Sequence, residues 1–206
     1  MSELFTIGHS NHAIATFIDL LRQHQVTAIA DVRSSPYSRY LPHFTRAALE
    51  QALTEAGIRY VFLGRELGAR PDNPDCYVDG KALYDKIAAT DAFEQGLQRL
   101  RKGIQTHRIA LMCAEQDPMT CHRAILICPH LKQFDFNINH ILKNGDLETH
   151  DRLEERMLEK HGFAKPKDSQ QLTLFDLDRF NNLPSREECL AIAYQRQGLQ
   201  IAYVEK

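Results

Sequence analysis

The stretch Val26 to Val32 (VTAIADV) is apolar almost throughout. It is far too short to span a membrane and too uniform for a strand with one wet face, so it reads as a strand buried on both faces of a parallel sheet. Four more short runs read as strands: Leu4 to Gly8, Ile58 to Leu63 (IRYVFL), Arg108 to Cys113 (RIALMC) and Phe136 to Leu142 (FNINHIL). Amphipathic stretches separate them. Ile14, Phe17, Ile18, Leu20 and Leu21 fall at helical spacing after Ser10 and Asn11, which are expected to cap that helix. Thr45 is expected to cap a second helix carrying Ala48, Leu49, Ala52 and Leu53 and ending near Gly57. Further helices are expected from about Lys81 to Gly103, from near Cys121, and from Asp151 to His161. Strand–helix alternation at this spacing predicts an α/β fold: an open, mostly parallel, doubly wound sheet of about five strands with helices on both faces.

That domain is expected to occupy residues 1–161. The remainder, 162–206, reads as a small C-terminal extension. It has a polar, proline-containing linker from Gly162 to Gln170, the segment QLTLF, and a helix from Ser185 to Gln197 with Glu188 completing a capping box. Gly198 is expected to end that helix, and Leu199 to Val204 to form a short strand. Gly64 to Gly80 reads as a long loop of the kind that covers binding sites.

Composition narrows the class. No window approaches a membrane span, the amino terminus lacks the pattern of a secretory signal, and five scattered cysteines suit a reducing compartment. A cytoplasmic protein with no membrane partner is expected. The formal net charge of −2 gives no global attraction to nucleic acid, so such a partner needs a local basic groove or a recruiting protein.

Ligands of open α/β sheets bind outside the carboxyl ends of the strands. On this chain those ends carry His9, Ser10 and Asn11, then Asp31 and Arg33 with Arg39 in the following loop, then Cys113 and Glu115, and after them Cys121, His122 and Arg123. Glu115, just past a buried strand, suits general acid–base work. Cys121 and His122 are expected in the first turn of a helix, where the dipole favours a thiolate, and Arg123 beside them suits phosphate. Asp31 and Arg33 share one face of a strand end and can pair, holding Arg33 toward a ligand. His9 suits a base or hydrogen-bond donor. Ser10, Asn11, Arg33 and Arg39 are the other ligand contacts expected. Tyr37, Tyr40 and Phe44 beside Arg39 suit base stacking, or pack the loop on the core. The bland alternatives are a buried apolar Cys113, a Glu115–Arg33 ion pair and a helix-capping His122.

Cys113, Cys121 and His122 are the set to consider for a metal, but C-x7-C-H is not the spacing of a structural zinc site, and no metal or other cofactor is favoured. The loop lacks the glycines of a phosphatase nest, and there is no Walker or dinucleotide-binding pattern.

The motifs TIGHSN, DVRSSPYSR, FTRAALEQALTEAGIRYVFLGRELG and CAEQDPMTCHR resemble the family catalogued as domain of unknown function 488, over roughly Thr6 to His150. The resemblance supports the strand–loop positions above and assigns them no reaction. Separately, Gln171, Leu172, Thr173, Leu174 and Phe175 resemble the pentapeptide by which bacterial polymerases and repair proteins bind the sliding clamp. The alternative is a segment packing Leu172, Leu174 and Phe175 on its own domain. Three classes follow: an enzyme acting on a nucleotide or nucleic acid and recruited to DNA repair through the clamp, a non-catalytic nucleotide- or anion-binding module, and a metal or redox Cys–His protein.

Overall fold

The computed structural model describes residues 2–163 and 184–205. The pentapeptide Gln171–Phe175 lies outside the described residues, as does most of the expected linker. The sheet is built from β1 (Ser2–Gly8), β2 (Ala28–Asp31), β3 (Arg59–Phe62), β6 (Ile109–Cys113), β7 (Phe136–Ile141) and β8 (Leu147–Thr149). A separate hairpin joins β4 (Tyr77–Val78) to β5 (Lys81–Ala82). Asp79 and Gly80 turn this hairpin with both φ angles positive, 49° and 73°, as a two-residue turn of type I′ requires.

The six strands run in the order β3-β2-β6-β1-β7-β8, all parallel except the antiparallel edge strand β8. The fold is therefore α/β, with one strand more than the pattern predicts. β8 escapes notice because Leu147–Thr149 is short and mostly polar, and reads as the approach to the next helix.

Side chains alternate across the sheet. Ile29, Ala110, Met112, Phe5 and Ile7 pack under α1 (Ile14–Gln23) and α2 (Arg46–Glu55), with Phe17, Leu21, Leu49 and Leu53. Ala28, Ala30, Leu111 and Leu4 pack on the opposite face against Phe93, Leu97 and Leu100 of the helix Asp91–Ile104. Both faces are covered, which is why β2 and β6 read as unbroken apolar runs.

Other elements depart from the pattern. The expected loop 64–80 contains a one-turn helix α3 (Gly64–Leu67) and β4, and the expected helix from Lys81 begins with β5. That helix is two pieces, α4 (Tyr84–Ala88) and α5 (Asp91–Ile104), broken where the Thr90 hydroxyl accepts a bond from the Phe93 amide at 3.2 Å. The N-cap of α1 is Ala13, not Ser10 or Asn11; Thr45 is the N-cap of α2 as expected, but its hydroxyl donates to the Pro42 carbonyl and makes no bond to the helix. The helix expected from Cys121 starts as a π-helical turn, Arg123–Ile127, before α6 (Cys128–Lys132). Pro129 explains the turn: it has no N–H to offer the Ile125 carbonyl, so the backbone widens, and the Cys128 N–H and thiol both bond the Arg123 carbonyl.

Next comes α7 (His150–Lys160), and the last helix, α8 (Arg186–Ile201), carries the expected Ser185–Glu188 capping box. It runs through Gly198, which packs on Tyr84, so Leu199–Val204 is not a strand; only Val204 bridges Lys81. Cys189 and Ala193 of α8 bury against Leu153 and Met157 of α7 and Ile125 of the π turn. Among the described residues, no helix is long and apolar enough to cross a membrane.

Candidate functional site

Connections leave the carboxyl ends of β1 and β6 in opposite directions, β1 toward β2 and β6 toward β7. A crevice opens where crossovers diverge in this way. Here it is a cleft of about 370 Å³ lined by residues from the ends of β1, β2 and β6 and from the C-terminal extension.

Three short backbone contacts shape its floor. The His9 and Ser10 amides donate to the Cys113 and Ala114 carbonyls, each at 2.9 Å. Gly8 lies so close to the Glu115 loop that a Cβ there would stand 1.9 Å from the Glu115 carbonyl oxygen. Arg123 fixes the same loop from below. It is fully buried, and its Nη1 and Nη2 donate to the Glu115 and Gln116 carbonyls at 2.7 and 3.2 Å, while its Nε donates to Thr6 at 3.3 Å. Arg123 thus holds backbone and does not line the cleft, unlike the phosphate contact expected of it. Its charge still acts on Cys121 nearby.

On this floor four reactive side chains converge. Cys113 Sγ lies 3.6 Å from His122 Nδ1, and Cys121 Sγ lies 4.0 Å from the same nitrogen and 3.0 Å from Glu115 Oε2. All four heteroatoms fall within 4.8 Å of one another. His122 Nε2 donates to the Val32 carbonyl at 3.0 Å, which turns the Nδ1 lone pair toward the sulfurs. Cys121 is extended (φ −130°, ψ 138°) and precedes the helix, its carbonyl accepting from the Ala124 and Ile125 amides, so it does not sit in the first turn.

Electrostatics in the cluster is one-sided. Burial alone would push the Cys121 thiol up, but the bond from Cys113, the Arg123 charge and His122 outweigh it and pull Cys121 well below the ordinary thiol range. Its bond to Cys121, then burial, hold Cys113 well above that range. Burial lowers His122, yet its bond to Cys121 and the charge there raise it overall. Glu115 is open to the cleft, but the walls shut out enough water that burial, then Cys121, push its carboxyl up. Cys121 and Glu115 thus shift in opposite directions across their 3.0 Å contact.

The neighbouring wall is an ordered ion pair. Asp31 accepts Arg33 Nε and Nη2 at 2.9 and 2.6 Å, the Arg33 amide at 3.1 Å and the Tyr60 hydroxyl at 2.8 Å. Arg33 Nη1 donates to the Phe44 carbonyl at 2.8 Å and to His9 Nε2 at 3.3 Å, leaving one Nη2 hydrogen without a partner among the described residues. His9 Nδ1 donates to the Ser10 carbonyl, and burial, then the Arg33 charge, lower its pKa to about 4. His9 is neutral, with both nitrogens engaged, and it orients Arg33.

Of the residues singled out in the sequence, His9, Arg33, Cys113, Glu115 and His122 line the cleft, with Cys121 and Asp31 directly behind them. Ser10, at φ 45°, and Asn11 stand beside it, Ser10 reaching Gln116 at 3.4 Å. Arg39 is exposed and outside the lining, as is Tyr40, whereas Tyr37 lines the cleft and Phe44 is buried under His9. Ser34, Ser35, Ser38 and Thr120 also line the cleft, and Arg70, Tyr84, Ile201 and Tyr203 join from segments that no sequence motif ties to it. Arg70 stacks on Tyr203, 4.3 Å from the ring centre, which joins the long loop to the C-terminal extension.

A family model described as Domain of unknown function DUF488 matches residues 13–128, just over half of the chain and most of the cleft floor. The chain matches no curated protein and no solved structure.

Proposed function

The chain belongs to the DUF488 family, and from that premise we propose that its cleft is the active site of an enzyme acting on a phosphate-bearing nucleotide or nucleic-acid end. The observation that carries this reading is the meeting of Glu115, Cys113 and His122 on a floor walled by Arg33, Arg70, Tyr37 and Tyr203. Cationic and aromatic walls suit a phosphate beside a planar base, and the volume suits a single nucleotide unit. Glu115, open to the cleft and touching Cys121, is the group that moves a proton; Arg33 and Arg70 hold the anion; Asp31 and His9 keep Arg33 in place.

The test is a panel of nucleoside mono- and diphosphates and short DNA and RNA ends, assayed for turnover and binding. Glu115→Gln should lower turnover by about 10²–10⁴-fold while leaving binding intact. Binding without turnover across the panel, unchanged in Glu115→Gln, would instead identify a binding module.

Recruitment is a separate part of the proposal. Gln171, Leu172, Leu174 and Phe175 match the clamp-binding pentapeptide and fall between α7 and α8 in the sequence. Binding of the full chain to a bacterial sliding clamp, abolished in Leu174→Ala/Phe175→Ala, is expected. Equal retention of native and mutant chains would reject the motif.

A further inference from the structure

We infer that Cys113, Cys121 and His122 bind one transition-metal ion of the zinc type, with its fourth position facing the cleft beside Glu115. The inference goes beyond the nucleotide reading and stands if that reading fails, because it concerns binding of the metal alone.

Distances carry it. In a tetrahedral centre with zinc–sulfur bonds of about 2.3 Å and zinc–nitrogen bonds of about 2.0–2.1 Å, each sulfur–nitrogen edge measures roughly 3.6 Å. The two edges here are 3.6 Å (Cys113–His122) and 4.0 Å (Cys121–His122). Sequence spacing argued against a metal because Cys113 and Cys121 are separated by seven residues. Yet the 3₁₀ turn Pro118–Thr120 folds the intervening chain back, so that the two sulfurs and the imidazole share one point.

The surroundings are those of a ligand set. A metal-bound histidine typically donates its second nitrogen to a carbonyl or carboxylate, which fixes the tautomer, and His122 Nε2 already donates to Val32. The ligands sit on stiff backbone: Cys113 ends the fully buried strand β6, and Cys121 precedes the π turn whose Arg123 staples the Glu115 loop. The donor set of two sulfurs and one imidazole favours zinc over magnesium or calcium. Three protein ligands with an open fourth position are the arrangement of catalytic rather than structural zinc. Cys113, His122 and Glu115 line the cleft, so that position is reachable by a ligand.

The experiment uses the full chain, fully reduced, stripped of metal and titrated with cobalt(II) alone. One equivalent should produce thiolate-to-cobalt charge-transfer absorption in the near ultraviolet and tetrahedral bands in the visible, and one equivalent of zinc should displace both. Cys121→Ser and His122→Ala should lose the bands, while Cys128→Ser and Glu115→Gln, each outside the ligand set, should keep them. No charge-transfer band in the reduced native chain overturns the site, whatever the variants do. Bands retained by Cys121→Ser, or bands lost in Glu115→Gln that still unfolds cooperatively, overturn this ligand assignment.

Discussion

Two buried polar clusters lie on either side of Arg123, and they differ in what links their members and in their access to solvent. Away from the cleft, Arg123 Nε donates to Thr6, Thr6 to His140 Nδ1 at 2.8 Å, and His140 Nε2 to His150 Nδ1 at 3.0 Å. His150 Nε2 then donates to the Tyr194 hydroxyl at 2.8 Å, which donates to Glu154 at 3.0 Å, where Lys132 also arrives at 2.9 Å. An arginine only donates and a carboxylate only accepts, so the two ends set every bond in one direction. On the cleft side the Cys113, Cys121, Glu115 and His122 atoms crowd together with weak sulfur contacts and an opening to solvent. A directed chain of hydrogen bonds rigidifies a core; a crowd of reactive atoms held by sulfur contacts beside a cleft is placed to receive a ligand.

The largest effect should come from acid acting on the histidine chain. Burial, then the Lys132 charge, lowers His150 from 6.5 to about 3, and burial, then His150, lowers His140 as well. Above pH 6.5 both rings are neutral in the folded and unfolded chains. As pH falls toward about 3, the unfolded chain takes up protons that the folded one refuses, so stability present above 6.5 is progressively lost. At about 1.4 kcal/mol per pH unit, His150 alone accounts for roughly 5 kcal/mol by the bottom of that window. Urea midpoints measured between pH 7 and 4 should drop steeply in the native chain and less steeply in His150→Gln. Identical slopes would mean that the histidine chain does not govern acid stability.

Gly8→Ala addresses the cleft side. Its Cβ would meet the Glu115 carbonyl at 1.9 Å, and neither backbone can yield without breaking the β1–β6 register or the Arg123 bonds. A loss of about 3 kcal/mol or more is expected from such overpacking. An unfolding midpoint unchanged by the methyl would show that the floor of the cleft is pliable rather than held.

The same contrast explains what the sequence reveals. β2 and β6 are the most legible strands, because burial on both faces leaves VTAIADV and RIALMC almost wholly apolar. The reactive cluster is legible because one strand end and the loop after it supply all of its members between Cys113 and His122. Arg70, Tyr84 and Tyr203 reach the same cleft from the long loop, α4 and the C-terminal extension, and no local pattern announces such distant contributions. The histidine chain is hidden for the same reason: His140, His150 and Tyr194 meet from β7, α7 and α8. Arg123 reads as a phosphate contact from its place near a helix start, whereas its burial depends on how the π turn is wound.

Tyr194→Phe should have a smaller effect than either change above. It removes one hydroxyl, leaving the His150 Nε2 hydrogen unmet in a buried site, at a cost of about 1–3 kcal/mol. Calorimetric unfolding should register that loss while cobalt binding at Cys113, Cys121 and His122 is unchanged. A variant that weakened cobalt binding instead would show that the two clusters act as one through Arg123.

The smallest effect on folding should follow Arg70→Ala. This side chain is exposed and rests on Tyr203, so losing the cation–π contact should lower stability by only about 0.5–1 kcal/mol. It lines the cleft without an ion-pair partner among the described residues, in contrast to Arg33, whose charge is already matched by Asp31. Phosphate binding followed by calorimetry should therefore weaken several-fold in Arg70→Ala and recover in Arg70→Lys, which restores charge without the planar stack. Loss of the salt dependence of binding along with the affinity would identify Arg70 as the charge that attracts the anion. Full affinity in Arg70→Ala would move that role to the single unpartnered hydrogen of Arg33 Nη2, and with it the anion to the inner wall of the cleft.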